Sequence, residues 1–217
     1  MKKVSLEFIL CGVLLQQAQT GYELQRFMET TGRFMRSNTS MTQVYRSLRK
    51  MESEGWLTHE VEPRSGAQDA KRYRLTPDGR IVFFEWLDQP HQPTEFPGEP
   101  AGFFTKLRFR TQYRGREAAI ELLNVEIDYR QQQIKRNRHR DRTEWYDADA
   151  PIELELTASI IEWEHRRGTA RMDSHLDACI EVRDRLVAGE PACDDPPDLL
   201  QPADRASHAD TTNGEVD

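Results

Sequence analysis

The sequence predicts a mainly helical protein with one small β-hairpin, arranged as two domains joined by a linker. Apolar residues recur at the spacing of a buried helix face through most of residues 1–88 and 103–188. Within the first part, residues 57–75 alternate apolar and polar side chains with the two-residue period of β-strands. Residues 89–102 contain four prolines and two glycines, a composition typical of a linker.

Composition excludes several classes of protein. Of the 217 residues, 31% are charged and 37% are apolar, which indicates a soluble protein long enough to bury a core. No apolar run approaches the length of a membrane span. The N-terminal segment imitates a signal peptide, but Glu7 interrupts its apolar part. Three cysteines without CxxC spacing fit a reducing compartment, so we expect a cytoplasmic protein.

The net charge of −7 is concentrated at the C-terminal end. Residues 189–217 carry eight acidic residues, one basic residue and four prolines, which predicts a disordered acidic tail. The rest of the chain is neutral, with 29 basic and 29 acidic side chains. Because residues 1–88 have 13 basic and 11 acidic residues, the overall charge does not argue against a nucleic-acid partner.

The first two predicted helices supply apolar faces. Residues 5–17 are apolar almost all round, as in a helix buried on most of its surface. Thr20 and Glu23 have the spacing of a capping box, so a second helix is expected to begin there and extend to about residue 31. Gly32 is expected to end this helix, and its inward residues are Leu24, Phe27 and Met28.

A third helix is predicted over residues 40–55. Ser40 and Gln43 form a capping-box pattern, and Gly55 lies where a C-cap is expected. The positions expected to face the core are Met41, Val44, Leu48 and Met51. The opposite arc carries Thr42, Gln43, Arg46, Ser47, Arg49, Lys50 and Ser53. Guanidinium and amide groups can pair with base edges, so this face suits a nucleic-acid groove, with a solvated surface helix as the alternative.

A β-hairpin and a fourth helix follow. Two alternating runs around residues 57–61 and 72–75 flank an eight-residue tip rich in turn formers, and the hairpin carries Arg64, Lys71, Arg72 and Arg74. Thr76 and Pro77 predict the start of a helix that extends to about residue 88, with Ile81, Phe84 and Leu87 inward and Trp86 near the edge. This order of elements is that of a winged helix-turn-helix, in which the third helix enters the DNA major groove and the wing contacts phosphates or the minor groove.

The second domain, residues 103–188, is predicted to consist of long helices. A short helix ends near Gly115 and a longer one covers residues 116–143, where Arg130 and Asn137 interrupt the apolar seam. Another long helix covers residues 151–188, with Gly168 as a site for a bend or a close helix contact. The seam residues are Ile120, Leu123, Ile127 and Ile134 on the first long helix, and Leu156, Ile160, Trp163, Met172, Leu176, Cys179 and Leu186 on the second.

Two long helices with such narrow seams cannot cover them against each other alone. A second copy of the chain is the favoured partner, and a two-fold dimer would present two reading helices to a palindromic DNA site. A different class of function stays open, in which a helical dimer uses its winged domain and acidic tail to bind protein partners.

Four stretches resemble the PadR family of transcriptional regulators: GYEL at 21–24, VYRSLRKMESEGWL at 44–57, KRYRLTPDGR at 71–80 and ASIIEWEHRR at 158–167. The resemblance implies a homodimeric winged helix-turn-helix, usually a repressor, that dimerises through C-terminal helices. In some members, phenolic or other aromatic molecules release the DNA. The long C-terminal domain resembles the virulence-activator branch, and the acidic tail is outside the family pattern.

The expected DNA contacts combine the resemblance with the residue chemistry. The resemblance places Tyr45 at a phosphate and turns Thr42, Gln43, Arg46, Arg49 and Lys50 toward the DNA. Ser40 is added because the N-terminus of a helix is a natural phosphate site. The wing is expected to contribute Arg64, Lys71 and Arg72.

No catalytic residue, cofactor or metal is expected. Glu162 and His165 are half of a di-iron pattern whose second half is missing from the sequence. No nucleophile is accompanied by a base, and no glycine loop is suited to hold a phosphate. Trp86 and Trp163 are candidates for an aromatic-effector pocket, although core or dimer-interface positions explain them more simply.

Overall fold

The computed structural model describes residues 4–63, 69–95, 101–141 and 151–196. It is mostly helical with one small antiparallel sheet, as the sequence predicts. The first domain contains α1 (Leu6–Leu14), β1 (Gln19–Thr20), α2 (Gly21–Glu29), a 3₁₀ turn (Thr31–Phe34), α3 (Met41–Ser53), β2 (Leu57–Glu62), β3 (Ala70–Leu75) and α4 (Pro77–Asp88). The second contains α5 (Ala101–Asn137) and α6 (Leu154–Val187).

Local capping chemistry defines where the short helices begin. The Thr20 side chain accepts a hydrogen bond from the Glu23 amide, and the Glu23 carboxylate accepts one from the Thr20 amide. Ser40 and Gln43 form the same reciprocal pair at the start of α3. Thr76 caps α4, with Pro77 at its first position. All three predicted helix starts are therefore confirmed.

Three side-chain assignments in the first domain are wrong. Met41 is 49% exposed, because it lies at the first position of α3, before the helix reaches the core. Ile81 is 56% exposed and Phe83 is fully buried in its place. Ser47, expected on the open face of α3, is buried against α1.

The wing belongs to a three-stranded sheet of order β1-β3-β2. The hairpin strands β2 and β3 pair from Leu57 opposite Leu75 to Glu62 opposite Ala70. The short β1, which the sequence analysis missed, adds Gln19 opposite Tyr73 and Thr20 opposite Arg72. Two residues are too short a stretch to show any alternation, so only the tertiary fold reveals this strand.

A single break divides α5. Gly115 has φ 82° and ψ −167°, a conformation open to glycine and strained for other residues, and the helix resumes directly after it. The prediction of a helix boundary near Gly115 is therefore confirmed. The second section ends at Asn137 rather than residue 143, and residues 142–150 lie outside the described part of the chain.

The first section of α5, which was expected to belong to the second domain, packs against the first domain. Phe109 is fully buried in the core that α1 to α4 build. Tyr113 donates a hydrogen bond to the carbonyl of Gly12. Arg110 donates to the carbonyls of Leu87, Asp88 and Gln89, which are the groups that a helix C-terminus leaves without partners. The junction between the domains is thus a packed interface.

The second section of α5 and α6 form an antiparallel helical hairpin. Leu122, Leu123, Ile127, Cys179 and Leu186 form its small buried core. Contacts run from Arg116 near Leu186 to Arg138 beside Asp173, so α5 ends while α6 continues toward its own N-terminus for several turns. Seam residues on that continuing part are exposed: Leu156 62%, Ile160 49% and Trp163 57%.

A buried charged cluster fastens the linker to this hairpin. The Glu126 carboxylate accepts hydrogen bonds from His91 in the linker, from His175 on α6 and from Arg130 one turn along α5. Arg130 is 2% exposed and also donates to the backbone carbonyl of Thr94. Burial raises the pKa of Glu126. The two histidines and Arg130 lower it by a larger amount, so the net pKa is well below its usual range. Arg130, which interrupts the apolar seam of α5, therefore forms a buried ion pair inside the domain.

Candidate nucleic-acid interface

The outer face of α3 is open to solvent and basic. Arg46 and Arg49 are exposed and form no ion pair within the described residues. Val44 and Leu48, on the inner side of the same helix, are fully buried and fix the direction in which the arginines point. Because the two arginines are three positions apart, they are neighbours on one face. Their guanidinium groups are therefore available to an external anion or to base edges.

The N-terminus of α3 presents a polar turn in which two predicted contact residues already have partners. The Ser40 hydroxyl accepts from the Gln43 amide at 3.3 Å, and the Gln43 side-chain carbonyl accepts from the Ser40 amide at 3.0 Å. Ser40 and the neighbouring Thr42 are exposed, and Gln43 is half-buried. This turn resembles other helix N-termini that receive a phosphate.

Lys50 shares a carboxylate with the inner side of α3. Its Nζ lies 3.8 Å from Glu7 Oε1 on α1, and Ser47 donates to the same oxygen at 3.1 Å. Burial acts to raise the pKa of Glu7, but hydrogen bonds from its own backbone amide, Ser5 and Ser47, with the charge of Lys50, lower it below its usual value. The sequence analysis missed this role for Glu7; an acid within an otherwise apolar helix was the available signal.

Tyr45 is held between α3 and the start of α2. It is 36% exposed, and its ring covers Gly21 so closely that a Cβ there would lie 2.5 Å from Tyr45 Cε1 and 2.8 Å from the hydroxyl oxygen. Gly21 therefore lets the ring lie flat against the backbone. The hydroxyl is directed toward the N-terminus of α2, a position compatible with the phosphate contact that the family resemblance implies.

The basic residues of the wing differ in their partners. Lys71 is exposed. Arg72 is half-buried: its Nε donates to Glu62 at 2.9 Å, and its Nη1 donates to the carbonyl of Ala18 and contacts Glu23 at 3.4 Å. These bonds hold the end of β1 against the hairpin, so Arg72 has a structural role in addition to any contact with DNA. Arg64 lies outside the described residues.

The two tryptophans proposed for an effector pocket have different surroundings. Trp86 stacks on Phe8 with ring centroids 4.7 Å apart and packs beside Phe83 in the first domain. Trp163 is exposed on α6, where the guanidinium of Arg167 lies over its ring. Neither lines the cleft found between α5 and α6. Within the described residues, the structure does not bring the two tryptophans into one site.

The described residues hold neither a metal-binding cluster nor a membrane-spanning helix. They contain no group of three or more histidine, cysteine, aspartate or glutamate side chains arranged to hold a metal ion. Among the same residues, no helix has both the length and the apolar character required to span a membrane.

The first domain is a winged helix-turn-helix with a basic, exposed third helix, the class of domain that the order of elements predicted. Residues 9–85 match the model of the transcriptional regulator PadR-like family, which covers α1 to α4. This match assigns residues 9–85 to the PadR-like family of transcriptional regulators. Proteins of this family are described as transcriptional regulators.

Two relatives of known name are similar to the chain. It is 36% identical over 86 residues to a probable transcriptional regulator of Mycobacterium tuberculosis, a match that covers 39% of this chain and 44% of the relative. The chain thus spans less than half the length of that protein. It is also 26% identical over 130 residues to the negative transcriptional regulator PadR of Bacillus subtilis, covering 59% of this chain and 69% of that protein.

A solved structure of Bacillus subtilis PadR in complex with operator DNA is also similar. It has a TM-score of 0.38 and 18% sequence identity, and the match covers 83% of this chain and 98% of that one.

Proposed function

We propose that this protein is a sequence-specific DNA-binding repressor that binds a palindromic operator as a homodimer. The observation that carries the proposal is the outer face of α3, where Arg46 and Arg49 are exposed and unpaired within the described residues. A winged helix-turn-helix inserts this helix into the major groove. Arginine can donate two hydrogen bonds to guanine, so the two side chains are the proposed base-reading groups.

Phosphate contacts would position this helix. The N-terminal turn of α3, with Ser40, Thr42 and Gln43, offers backbone amides and hydroxyls at the positive end of the helix dipole. Tyr45 and Lys50 flank the arginines, and Lys71 extends the basic surface onto the wing. Arg64 and Arg72 remain proposed wing contacts; of these, Arg72 would have to share its guanidinium with Glu23 and Glu62. Contacts to phosphates carry no sequence information but set the register of the helix on the duplex.

The exposed apolar residues on α6 support the homodimer. Leu156, Ile160 and Trp163 recur at helical spacing on the side away from Cys179, which is buried against α5. A row of large exposed apolar side chains on a helix that extends past its neighbour is a typical protein-binding surface. A second copy would cover this row, and two-fold symmetry would present two α3 helices to a palindrome.

The direction of regulation comes from the relatives. The Bacillus subtilis protein is named a negative transcriptional regulator, and we extend repression to this chain as part of the proposal. Release of DNA by a small aromatic effector is a further part, for which Trp86 and Trp163 remain the candidates. Quenching of tryptophan fluorescence by a phenolic ligand would support that part, and an unchanged spectrum would contradict it.

A gel-shift titration with the DNA upstream of the gene, at two salt concentrations, tests the proposal. We expect specific binding that weakens as salt rises, because phosphate contacts release counterions. A variant combining Arg46→Ala, Arg49→Ala and Lys50→Ala should lose this binding. Equal binding by the variant would contradict the assignment of α3. If neither protein binds DNA even at low salt, the alternative, a dimer whose winged domain and acidic tail bind protein, gains support.

A further inference from the structure

A cleft of about 560 Å³ lies at the end of the helical hairpin, where α5 stops and α6 continues. Its walls come from the last turn of α5 with the residues just after it, from the middle of α6, and from Glu95 in the linker. This volume is within the range of sites that hold small organic molecules, roughly 300–1,000 Å³. The cleft is separate from the proposed DNA-binding face of α3.

Basic side chains dominate the lining. Arg138, Arg140 and Arg171 line the cleft, and the only carboxylate among its described lining residues belongs to Glu95. Arg138 pairs with Asp173. Arg140 and Arg171 are exposed and form no ion pair within the described residues. Two guanidinium groups without acidic partners beside a cavity are suited to a carboxylate or a phosphate, which they can bind through charge-assisted, bidentate hydrogen bonds.

The rest of the lining provides an apolar wall and free space. Ile134 and Met172 are half-buried side chains from the two facing helices. Gly168 lies on the same stretch of α6, and a Cβ added to it would meet nothing within 4 Å. The close helix contact suggested by the sequence is therefore absent there. A glycine inside a helix is destabilising relative to alanine, and here its lack of a side chain keeps the cleft wide.

Hydrogen bonds hold the wall near the linker in place. Gln133 donates to the carbonyl of Glu95 at 2.6 Å and accepts from Arg130 at 2.7 Å. Arg130 in turn belongs to the buried cluster around Glu126. A wall fixed before the ligand arrives lowers the ordering cost of binding.

We propose that this cleft binds a small amphiphilic anion, with its carboxylate or phosphate on Arg140 and Arg171 and its apolar body against Ile134 and Met172. Gly168 provides the space for that body. The proposal concerns binding alone, so it stands or falls independently of the proposed DNA-binding function.

Isothermal titration of the full chain with octanoate, octyl phosphate and 1-octanol tests the proposal. Octanoate or octyl phosphate should saturate one site per chain, and the uncharged 1-octanol should bind at least about tenfold more weakly, because it lacks the charge that the guanidinium groups recognise. Whichever anion binds more tightly identifies the head group. If 1-octanol binds as tightly as the anions, or if no probe binds, the proposal is overturned.

Two pairs of variants locate the binding. The double variant Arg140→Gln with Arg171→Gln should weaken anion binding about tenfold or more, whereas Lys135→Gln with Arg166→Gln, an equal change of charge at exposed sites outside the cleft, should leave it unchanged. Gly168→Phe should abolish binding by filling the space, and Gly168→Ala should retain it. Equal effects within either pair would overturn the proposal. The glutamine variants remain informative if Gly168→Phe fails to fold.

Discussion

The ring of Phe109 occupies the space that any side chain at residue 12 would need: a Cβ on Gly12 would lie 2.3 Å from Phe109 Cζ. Phe109 belongs to α5 and Gly12 to α1, so this contact joins the helix that begins the second domain to the core of the first. Tyr113, one turn further along α5, donates to the Gly12 carbonyl. The position of the second domain relative to α3 thus depends on a glycine in α1.

Gly12→Ala is expected to destabilise the protein by roughly 1–3 kcal/mol, because an added methyl group overpacks the core against Phe109. Chemical denaturation measures the free energy of unfolding. Gly168→Ala is the control: it makes the same change on an exposed helix with free space around it, and should stabilise the fold by about 1 kcal/mol. A Gly12→Ala protein as stable as the parent would show that the close contact is not rigid.

Replacing Glu126 should be strongly destabilising. Glu126→Gln leaves Arg130 buried without its carboxylate, which costs roughly 3–5 kcal/mol when one partner of a buried ion pair is removed. Glu121→Gln, on an exposed position of the same helix, should change the free energy of unfolding by less than about 0.5 kcal/mol. Similar losses in both variants would mean that the cluster contributes nothing specific.

The same carboxylate predicts a pH dependence of stability. The pKa of folded Glu126 is below its usual value, so its stabilising contribution is present above the pKa of an unfolded glutamate, about 4.3, and is lost as the pH falls toward the folded value. Between about pH 5 and about pH 3, the free energy of unfolding should therefore decrease more steeply with falling pH in the parent protein than in Glu126→Gln. Parallel curves would contradict this sign.

Arg49→Ala and Lys50→Ala should affect DNA binding in different ways. If Arg49 reads a base, its loss costs roughly 1–3 kcal/mol on the preferred sequence and relaxes specificity at that position. Lys50→Ala should weaken all sequences alike and lower the slope of log affinity against log salt by about one. Fluorescence anisotropy with the operator and a scrambled duplex separates these outcomes, and identical behaviour of the two variants would count against the assignment.

Glu7→Gln is expected to strengthen DNA binding. The carboxylate competes with phosphate for Lys50, and partly exposed ion pairs are worth about 0.2–1 kcal/mol, which corresponds to a gain of up to about fivefold in affinity. Glutamine keeps the size of the side chain and can still accept from Ser47. The gain should disappear when the substitution is made together with Lys50→Ala. A gain that persists in the double variant would mean that Glu7 acts on DNA by another route.

Trp163→Glu should convert the proposed dimer to a monomer. A tryptophan at the centre of an interface commonly contributes 2 kcal/mol or more, so the dimer dissociation constant should rise about thirtyfold. Sedimentation velocity over a range of protein concentrations measures this. Ala158→Glu is the control, since it puts the same charge on the other side of α6, and it should leave the dimer intact. Dimers of equal stability in both variants would exclude this row as the interface.

Features that depend on residues close together in the chain were predictable. The capping boxes at Thr20 and Ser40, the start of α4 at Thr76 and the break at Gly115 each follow from side chains a few positions apart. Arg46 and Arg49 were likewise placed on an exposed face by the helical period alone. Their role in binding DNA remains a prediction.

Periodicity also identified residues whose environment it could not describe. It marked Arg130 as an interruption of an apolar seam, and Leu156, Ile160 and Trp163 as part of one. In the fold, Arg130 is buried in an ion pair, and the other three are exposed beyond the end of α5. Helical spacing specifies a face but not what lies opposite it.

The sequence by itself determined the order of the helices, the starts of α2, α3 and α4 and the basic outer face of α3, because each depends on interactions within one or two helical turns. Only the tertiary structure decided that β1 joins the wing, that Glu7 contacts Lys50, that Glu126 gathers a linker histidine with α5 and α6, and that a cleft opens beside Gly168. The pairings made by β1, Glu7 and Glu126 join residues at least 35 positions apart in the chain, and such pairings depend on how the whole chain packs rather than on any local pattern.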